Sequence, residues 1–523
     1  MKTNKSMACG IFFLTMSLVA CGDGDNKSNT ESENNKGPQK VKNVIVLIND
    51  GAGVGTWDAT AYWQYGSREN MPYAQFDHYA MTTYPLNASK APTYNDTSLV
   101  NYEPEKAWDL TPTGNIKLPF KGYEYLSITP TDSAAAGTAL ASGVKTYNNA
   151  INFNNMGKAV DFISSIAKTE GKSTGVVTSV PFSHATPAAF GAQNISRNNY
   201  HEIANQMLSE GKLDVIMGTG VPGYNINGTV CDQLQAQESN TGCTDKTKYT
   251  YISPADWQKL NSGNYVAGNA KQPWKIIRSV TDFDALAKGT LQYDGPIFAA
   301  PEVALTLQQG RQAQFTGKDT SKPSGDAFIK NVPTLSTMAQ GALQQLQKNK
   351  SGFFLMVEGG ATDWSAHTSA CSSVWDYGPC TNEPEYGRLI EETADFNNTV
   401  AAVIQWVEKN SNWDETLVIV TTDHDNGMPM GADAQKTPYQ KVINKGLGVM
   451  PGISFRPTGD HSNALVPLWT KGAGSDLFKR RVHGIDTNYA KYYNYNDGKY
   501  VDNTEVFRVV KAAITGQDLE SYK

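Results

Sequence analysis

Six short apolar runs, each ending in polar residues, constrain this chain more than any other feature. Val44–Ile48, Thr174–Thr178, Asp214–Met217, Phe353–Val357, Thr416–Val420 and Ala464–Trp469 are four to six residues long and rich in Val, Ile, Leu and Phe. Segments apolar on both faces are what parallel strands covered by helices require. Helical periodicity fills intervals between them at Ala159–Thr169, Thr334–Gln347 and Arg388–Lys409. This alternation predicts an α/β fold: a doubly wound, mostly parallel central sheet with helices on both faces. The 523 residues, 39% of them hydrophobic, can supply a large core for it. Two polar stretches, 82–122 and 219–275, break the alternation and read as surface insertions in a single domain spanning 42–523. A formal net charge of −6 without any block of Lys or Arg argues against a nucleic-acid-binding surface, which needs clustered cations.

The N-terminus reads as a targeting segment rather than as fold. Lys2 and Lys5 precede an apolar or small stretch from Met7 to Ala20, too short to span a bilayer comfortably. Leu18-Val19-Ala20-Cys21 resembles the bacterial lipobox, which predicts removal of residues 1–20 and acylation of the Cys21 thiol. Gly22, rather than Asp, resembles outer-membrane sorting. Residues 22–40 hold no aliphatic or aromatic side chain, so 21–41 is expected to be a disordered tether. The expectation is an exported outer-membrane lipoprotein, facing periplasm or cell surface and meeting the membrane through Cys21; an ordinary secretory signal is the alternative. With Cys9 removed and Cys21 lipidated, Cys231, Cys243, Cys371 and Cys380 remain. Local pairing predicts Cys231–Cys243 and Cys371–Cys380 disulfides in an oxidising compartment. A four-thiolate zinc cluster is the rival, although neither pair has the tight spacing of such sites.

In open parallel sheets ligands bind at the carboxyl ends of strands, so the residues following each run carry the functional information. Val44–Ile48 leads into Asn49-Asp50-Gly51, Phe353–Val357 into Glu358-Gly359-Gly360, and Thr416–Val420 into Thr421-Thr422-Asp423-His424. One carboxylate at such a place commonly caps a helix or turns the chain. Three delivered to one edge together with histidines argue for a metal cluster. His367 lies four residues after Asp363 and nine after Glu358, so these three are expected to line one loop or helical turn. His78, His201 and His483 have no comparable setting and read as structural or surface residues. The stretch Thr131 to Gly143 is built of small residues and predicts a tightly packed helix capped by Thr131 or Asp132, with Ser133 in its first turn. There a hydroxyl meets the positive end of the helix dipole, a setting suited to a phosphate. No Gly-x-Ser-x-Gly elbow surrounds Ser133, which disfavours a Ser-His-Asp hydrolase and favours activation by metal.

Taken in order, these motifs resemble the alkaline phosphatase family over roughly residues 42–470. The resemblance implies hydrolysis of phosphate monoesters, with Ser133 phosphorylated and then freed by water. It implies two Zn²⁺ and one Mg²⁺. Asp50, Asp423 and His424 would hold one zinc, Asp363, His367 and His461 the other, and Asp50, Thr186 and Glu358 the magnesium. Arg197 matches the arginine that clamps phosphate. His184 and Thr186, two apart in an extended segment, are expected to point the same way. His184 and Trp364 stand where the enterobacterial type has Asp and Lys, a combination that resembles marine bacterial members. Only 37 residues separate His424 from His461, too few for the crown insertion of animal enzymes, so a homodimer stays open but a crown-mediated one is not supported. A phosphodiesterase or nucleotide pyrophosphatase of the same superfamily is the alternative; such enzymes usually use Thr and lack the Arg and the third metal site. A non-catalytic surface lipoprotein would explain the tether but not a serine beside so many metal ligands.

Overall fold

Burial explains why the apolar runs become strands: every residue of Asn43–Ile48, Phe353–Glu358 and Thr416–Thr421 is buried. The computed structural model describes residues 40–519 apart from 96, 99–100, 235–241, 244–248, 369–382, 432, 454–456 and 496. In chain order the strands are β1 Asn43–Ile48, β2 Asp77–Thr82, β3 Ser173–Pro181, β4 Val215–Thr219, β5 Lys275–Ile277, β6 Ile297–Ala299 and β7 Phe353–Glu358. They continue with β8 Thr416–Thr421, β9 Asp425–Asn426, β10 His461–Ser462, β11 Val466–Gly472, β12 Gly484–Ile485 and β13 Lys499–Asp502. Eleven form one sheet in the order β12-β13-β2-β11-β8-β1-β7-β3-β4-β6-β5, while β9 and β10 make a separate two-stranded ribbon.

Alternate residues of the central strands face two different cores. Ile45, Leu47, Leu355, Val357, Val418 and Val420 pack on one side, with Met338 and Leu343 of helix Leu335–Leu346 and Val400 and Val403 of helix Glu383–Asn410. Val44, Val46, Ile48, Phe354 and Ile419 pack on the other, with Leu140 of helix Ser133–Ser142, Ile163 of helix Ile163–Thr169 and Val509 of helix Thr504–Thr515. Each such side chain contributes roughly 1.5–3 kcal/mol by leaving water, so the middle of the sheet is the rigid part of the molecule. The fold is the doubly wound α/β sandwich expected.

Four details differ from the sequence reading. The run at Ala464–Trp469 pairs antiparallel with both β8 and β2, because the chain returns through the β9–β10 ribbon rather than through a crossover helix. The helix expected from Ala159 begins at Ile163, since Val160 N instead donates to Asn152 O and Phe153 bridges Ala159. Helix Val54–Tyr65 has no exposed face in its first two turns, where Val54 to Ala61, Thr56, Asp58 and Thr60 included, are all buried, so it carries no amphipathic signature. The stretch 82–122 is more than a surface insertion: Trp108, Phe120 and Tyr123 join the core, and Trp108 Nε1 and Tyr102 Oη donate to Asp486 Oδ2 at 2.7 and 2.6 Å.

In the stretch 219–275, Cys231 and Cys243 are disulfide-bonded with Cα atoms 5.6 Å apart. Cys21, Cys371 and Cys380 lie outside the described residues. No helix among the described residues is long and apolar enough to cross a membrane.

Candidate active site

Parallel register converges the three carboxylates. Ile48 of β1 pairs with Glu358 of β7 on one side and Thr421 of β8 on the other, so Asp50, Glu358 and Asp423 leave adjacent strands at the same edge. Gly51 makes the turn after Asp50 with φ +73°, and a Cβ there would meet Asp363 Oδ1 at 2.7 Å. Only glycine suits a left-handed turn under a neighbouring carboxylate. The ribbon pairs His461 with Asn426, which returns the distal histidine to the residues following His424.

Two adjoining groups of ligand-type side chains result. In the first, His424 Nε2 lies 3.4 Å from Asp50 Oδ1, 3.2 Å from Asp423 Oδ2 and 3.2 Å from Ser133 Oγ. In the second, Asp363 and His367 sit one turn apart on helix Ala361–Thr368 at 3.3 Å, His461 Nε2 is 3.3 Å from Asp363 Oδ1, and the two imidazole Nε2 atoms are 3.1 Å apart. The rings of His424 and His461 stack with centroids 3.6 Å apart, joining the groups. Glu358 does not share a turn with Asp363 and His367. It ends β7 and faces Thr178, whose Oγ1 donates to Glu358 Oε2 across the β3–β7 pair.

Ser133 opens helix Ser133–Ser142, and Asp132 rather than Thr131 caps it, Oδ1 accepting from Ala135 N at 2.9 Å. A Cβ on Gly137 would meet Ala189 Cβ at 2.9 Å, so a glycine there lets this helix approach helix Ala185–Ala189, which carries Thr186. The segment Ser183 to Pro187 is therefore not extended as expected. His184 is the N-cap of a short helix, and Pro187 suits a first turn because its missing N–H would have had no helical partner there. Arg197 donates from Nη1 to Asp132 Oδ2 at 3.0 Å, and its Nη2 is 3.4 Å from His184 Nε2. Burial, with the Arg197 charge beside it, pushes His184 down to about 3, so its ring is neutral and can accept that contact. Trp364 packs edge-on against His184 with centroids 5.4 Å apart.

Without cations this centre is electrostatically unfavourable. Burial, reinforced by Asp423, Asp363 and Glu358, pushes Asp50 well above the ordinary carboxylate range. Burial raises Glu358 to about 7 in spite of the Thr178 donor, and Asp423 to about 6. Asp50 Oδ1, Asp423 Oδ2, Glu358 Oε1 and Thr186 Oγ1 are buried and make no well-formed hydrogen bond, the two aspartate oxygens having His424 Nε2 nearby but misaligned. Orphaned buried oxygens are costly, and a divalent cation removes both the repulsion and the missing partners. Oxygen donors at Asp50, Glu358 and Thr186 suit a hard cation, and mixed Asp/His donors suit zinc.

Residues 41–449 match the family model described as alkaline phosphatase. The chain belongs to the alkaline phosphatase family. This alkaline phosphatase is 29% identical over 451 residues to alkaline phosphatase 4 of Bacillus subtilis, covering 85% of this chain and 74% of that protein. It is 28% identical over 410 residues to the alkaline phosphatase of Escherichia coli, covering 73% and 74%. Its fold matches the solved alkaline phosphatase of the Antarctic bacterium TAB5 with a TM-score of 0.54 at 24% identity, over 92% of this chain and all of the other. A substituted form of that Antarctic enzyme is solved with Mg bound. The protein is thus a phosphatase whose buried Asp and His groups could hold metal ions.

Three further residues shape the centre of this alkaline phosphatase; Thr178 and Asn426 carry no signal in the sequence, and Asp132 is legible there only as a helix cap. Thr178 holds Glu358 from the neighbouring strand. Asp132 ties Arg197 to the start of the serine helix, with Oδ2 also accepting from Asn149 N at 3.1 Å. Asn426 Nδ2 donates to Asp363 Oδ1 at 2.8 Å. Strand pairing or ribbon pairing, not spacing in the chain, brings Thr178 and Asn426 to their partners.

Proposed function

We propose that this phosphatase hydrolyses phosphate monoesters through a phosphoserine on Ser133, the ester alcohol leaving first and inorganic phosphate second. The observation that carries the reading is Ser133 Oγ at a helix N-terminus, 3.2 Å from His424 Nε2 and beside a cluster of buried ligand oxygens that make no well-formed hydrogen bond. Asp50, Asp423 and His424 would hold one Zn²⁺, Asp363, His367 and His461 the other, and Asp50, Thr186 and Glu358 one Mg²⁺. When bound, these cations supply Lewis acidity and favour the ionised form of oxygen nucleophiles.

Arg197 presents a planar fork to two non-bridging oxygens of the phosphate, held in place by Asp132. The N-terminus of helix Ser133–Ser142 favours the same anion. Ser133 Oγ attacks phosphorus, forming a new O–P bond as the ester O–P bond breaks and the alcohol takes up a proton. Water then attacks the phosphoserine in line, and the Oγ–P bond breaks to restore the hydroxyl. Asn426 fixes Asp363, and Thr131 O fixes His461 through Nδ1 at 2.7 Å, so both keep one orientation through the cycle. We place the enzyme outside the cytoplasm, tethered through acylated Cys21, a reading supported by the lipobox-like sequence and by the Cys231–Cys243 disulfide.

The test is Ser133→Ala. The variant should keep the fold and bound metal but lose the acid-stable phosphoprotein formed with labelled p-nitrophenyl phosphate, and kcat should fall by several orders of magnitude. A burst and kcat near wild type would overturn the double displacement.

A further inference from the structure

The connector that enters the serine helix is strained and is held from two sides. Thr129 has φ +52°, in the left-handed region, with Pro130 next in the chain. For a β-branched residue that conformation is costly, and it persists only where surrounding contacts impose it. Two asparagines far apart in sequence supply the contacts. Asn463 is 5% exposed and directly follows β10; its backbone N donates to Leu126 O and its Nδ2 to Ile128 O, both at 2.7 Å, with Thr129 O 3.5 Å from the same Nδ2. Asn148, half-buried, grips the next residues: its Nδ2 donates to Pro130 O and its Oδ1 accepts from Asp132 N, both at 3.1 Å. Thr131 O accepts from His461 Nδ1 at 2.7 Å. Every carbonyl from Ile128 to Thr131 thus lies within 3.5 Å of a side-chain nitrogen.

Three features of the centre depend on where this connector runs. Ser133 is the first residue of its helix, where the backbone N–H has no helical partner, so the direction of entry sets where Oγ points. Asp132 both caps that helix and holds Arg197. Thr131 O orients His461. Asn463 lies two residues beyond His461, so the short segment that delivers a ligand-type histidine also grips the chain leading into Ser133.

Resting on the reading of Ser133 as the nucleophile, we infer that Asn463 is a positioning residue for the phosphorylation step. With Asn148 opposite, it holds Thr129 left-handed and keeps Ser133 Oγ in place relative to His461. Released from Asn463, Thr129 relaxes toward the extended region that a residue before proline favours, and the entry to the helix turns with it.

The experiment is a double-mutant cycle between Asn463→Ala and Thr129→Gly, made in the full chain in saturating zinc and magnesium. The readout is rapid-quench formation of acid-stable phosphoprotein from labelled p-nitrophenyl phosphate. Asn463→Ala should slow this step by roughly ten- to a hundredfold, as small displacements of a reacting group do. Glycine adopts the left-handed conformation without strain, so it needs less of the grip. In a Thr129→Gly background the loss caused by Asn463→Ala should therefore be smaller by roughly threefold or more. A merely structural contact would lower the urea midpoint and leave phosphorylation of the folded enzyme unchanged. Should Asn463→Ala fail to fold, Asn148→Ala carries the same cycle with the same expectations. Wild-type phosphorylation in the folded variant, or strictly additive effects in the cycle, would overturn the inference. Ser133→Ala tells the two readings apart: wild-type turnover there removes the phosphoserine itself, whereas fast phosphorylation of Ser133 in Asn463→Ala removes only the role of Asn463.

Discussion

Thr178→Val removes the hydrogen bond that reaches Glu358 from the neighbouring strand. Thr178 is fully buried on β3, directly opposite Glu358 in the parallel register, and valine has the same shape and the same strand preference. The substitution removes the donor to Glu358 and also the oxygen that accepts from Val180 N at 3.1 Å, so stability is measured alongside. A hydrogen bond to a charged group contributes about 1.5–3 kcal/mol, and 1.4 kcal/mol is tenfold in an equilibrium constant. Magnesium affinity should accordingly fall roughly 10- to 100-fold, the range found when outer-shell partners of metal ligands are removed. The assay is steady-state hydrolysis of p-nitrophenyl phosphate in saturating zinc, titrated with Mg²⁺ after removal of bound magnesium. The half-activating concentration should rise by that factor, while kcat at saturating Mg²⁺ stays within about threefold and zinc content is unchanged. Thr178→Ser should recover most of the affinity. A folded Thr178→Val enzyme whose Mg²⁺ titration overlays that of the wild type would show that Glu358 does not serve a magnesium site.

Chelated protein should become less stable as pH rises from about 4 to 7: the raised Glu358 and Asp423 groups bind more protons folded than unfolded across that window, so deprotonation favours unfolding. Thermal melts with EDTA at pH 5 and 7.5 check the sign, and added zinc and magnesium should reverse the loss at the higher pH. Lys172→Met should cost about 3 kcal/mol, read as a shift in the urea midpoint. The buried ammonium donates to Val41 O, Lys42 O and Ser351 O at 2.8, 2.8 and 3.0 Å, and its removal leaves three carbonyls without that donor. Trp364→Lys should lower the inhibition constant for inorganic phosphate and lower kcat and KM together, because a new cation beside His184 and Arg197 strengthens ground-state and product binding. Unchanged or weaker product inhibition at alkaline pH would show that position 364 does not face the phosphate.

Patterns confined to one segment were legible in the sequence alone. Doubly apolar runs can only be covered strands, so β1, β3, β4, β7 and β8 followed directly, and the polar residues at their ends marked the edge where chemistry collects. The capped helix at Ser133 and the Asp363–His367 turn are equally local, because a helical repeat of four residues sets both. The antiparallel β11, the ribbon that returns His461 beside Asn426, and the core position of Trp108 depend on partners beyond the reach of any local pattern. Short strands at or next to the sheet edges, β5, β6 and β12, have too few residues to show any period. The supporting contacts of the centre belong to the same class. Thr178 meets Glu358 across 180 residues of chain and Arg197 meets Asp132 across 65, and no spacing rule relates them. The sequence determined which side chains could do the chemistry, since ligand type and strand ends are written locally. Only tertiary structure decided how they are held, since register, ribbon pairing and burial are properties of strands that have already met.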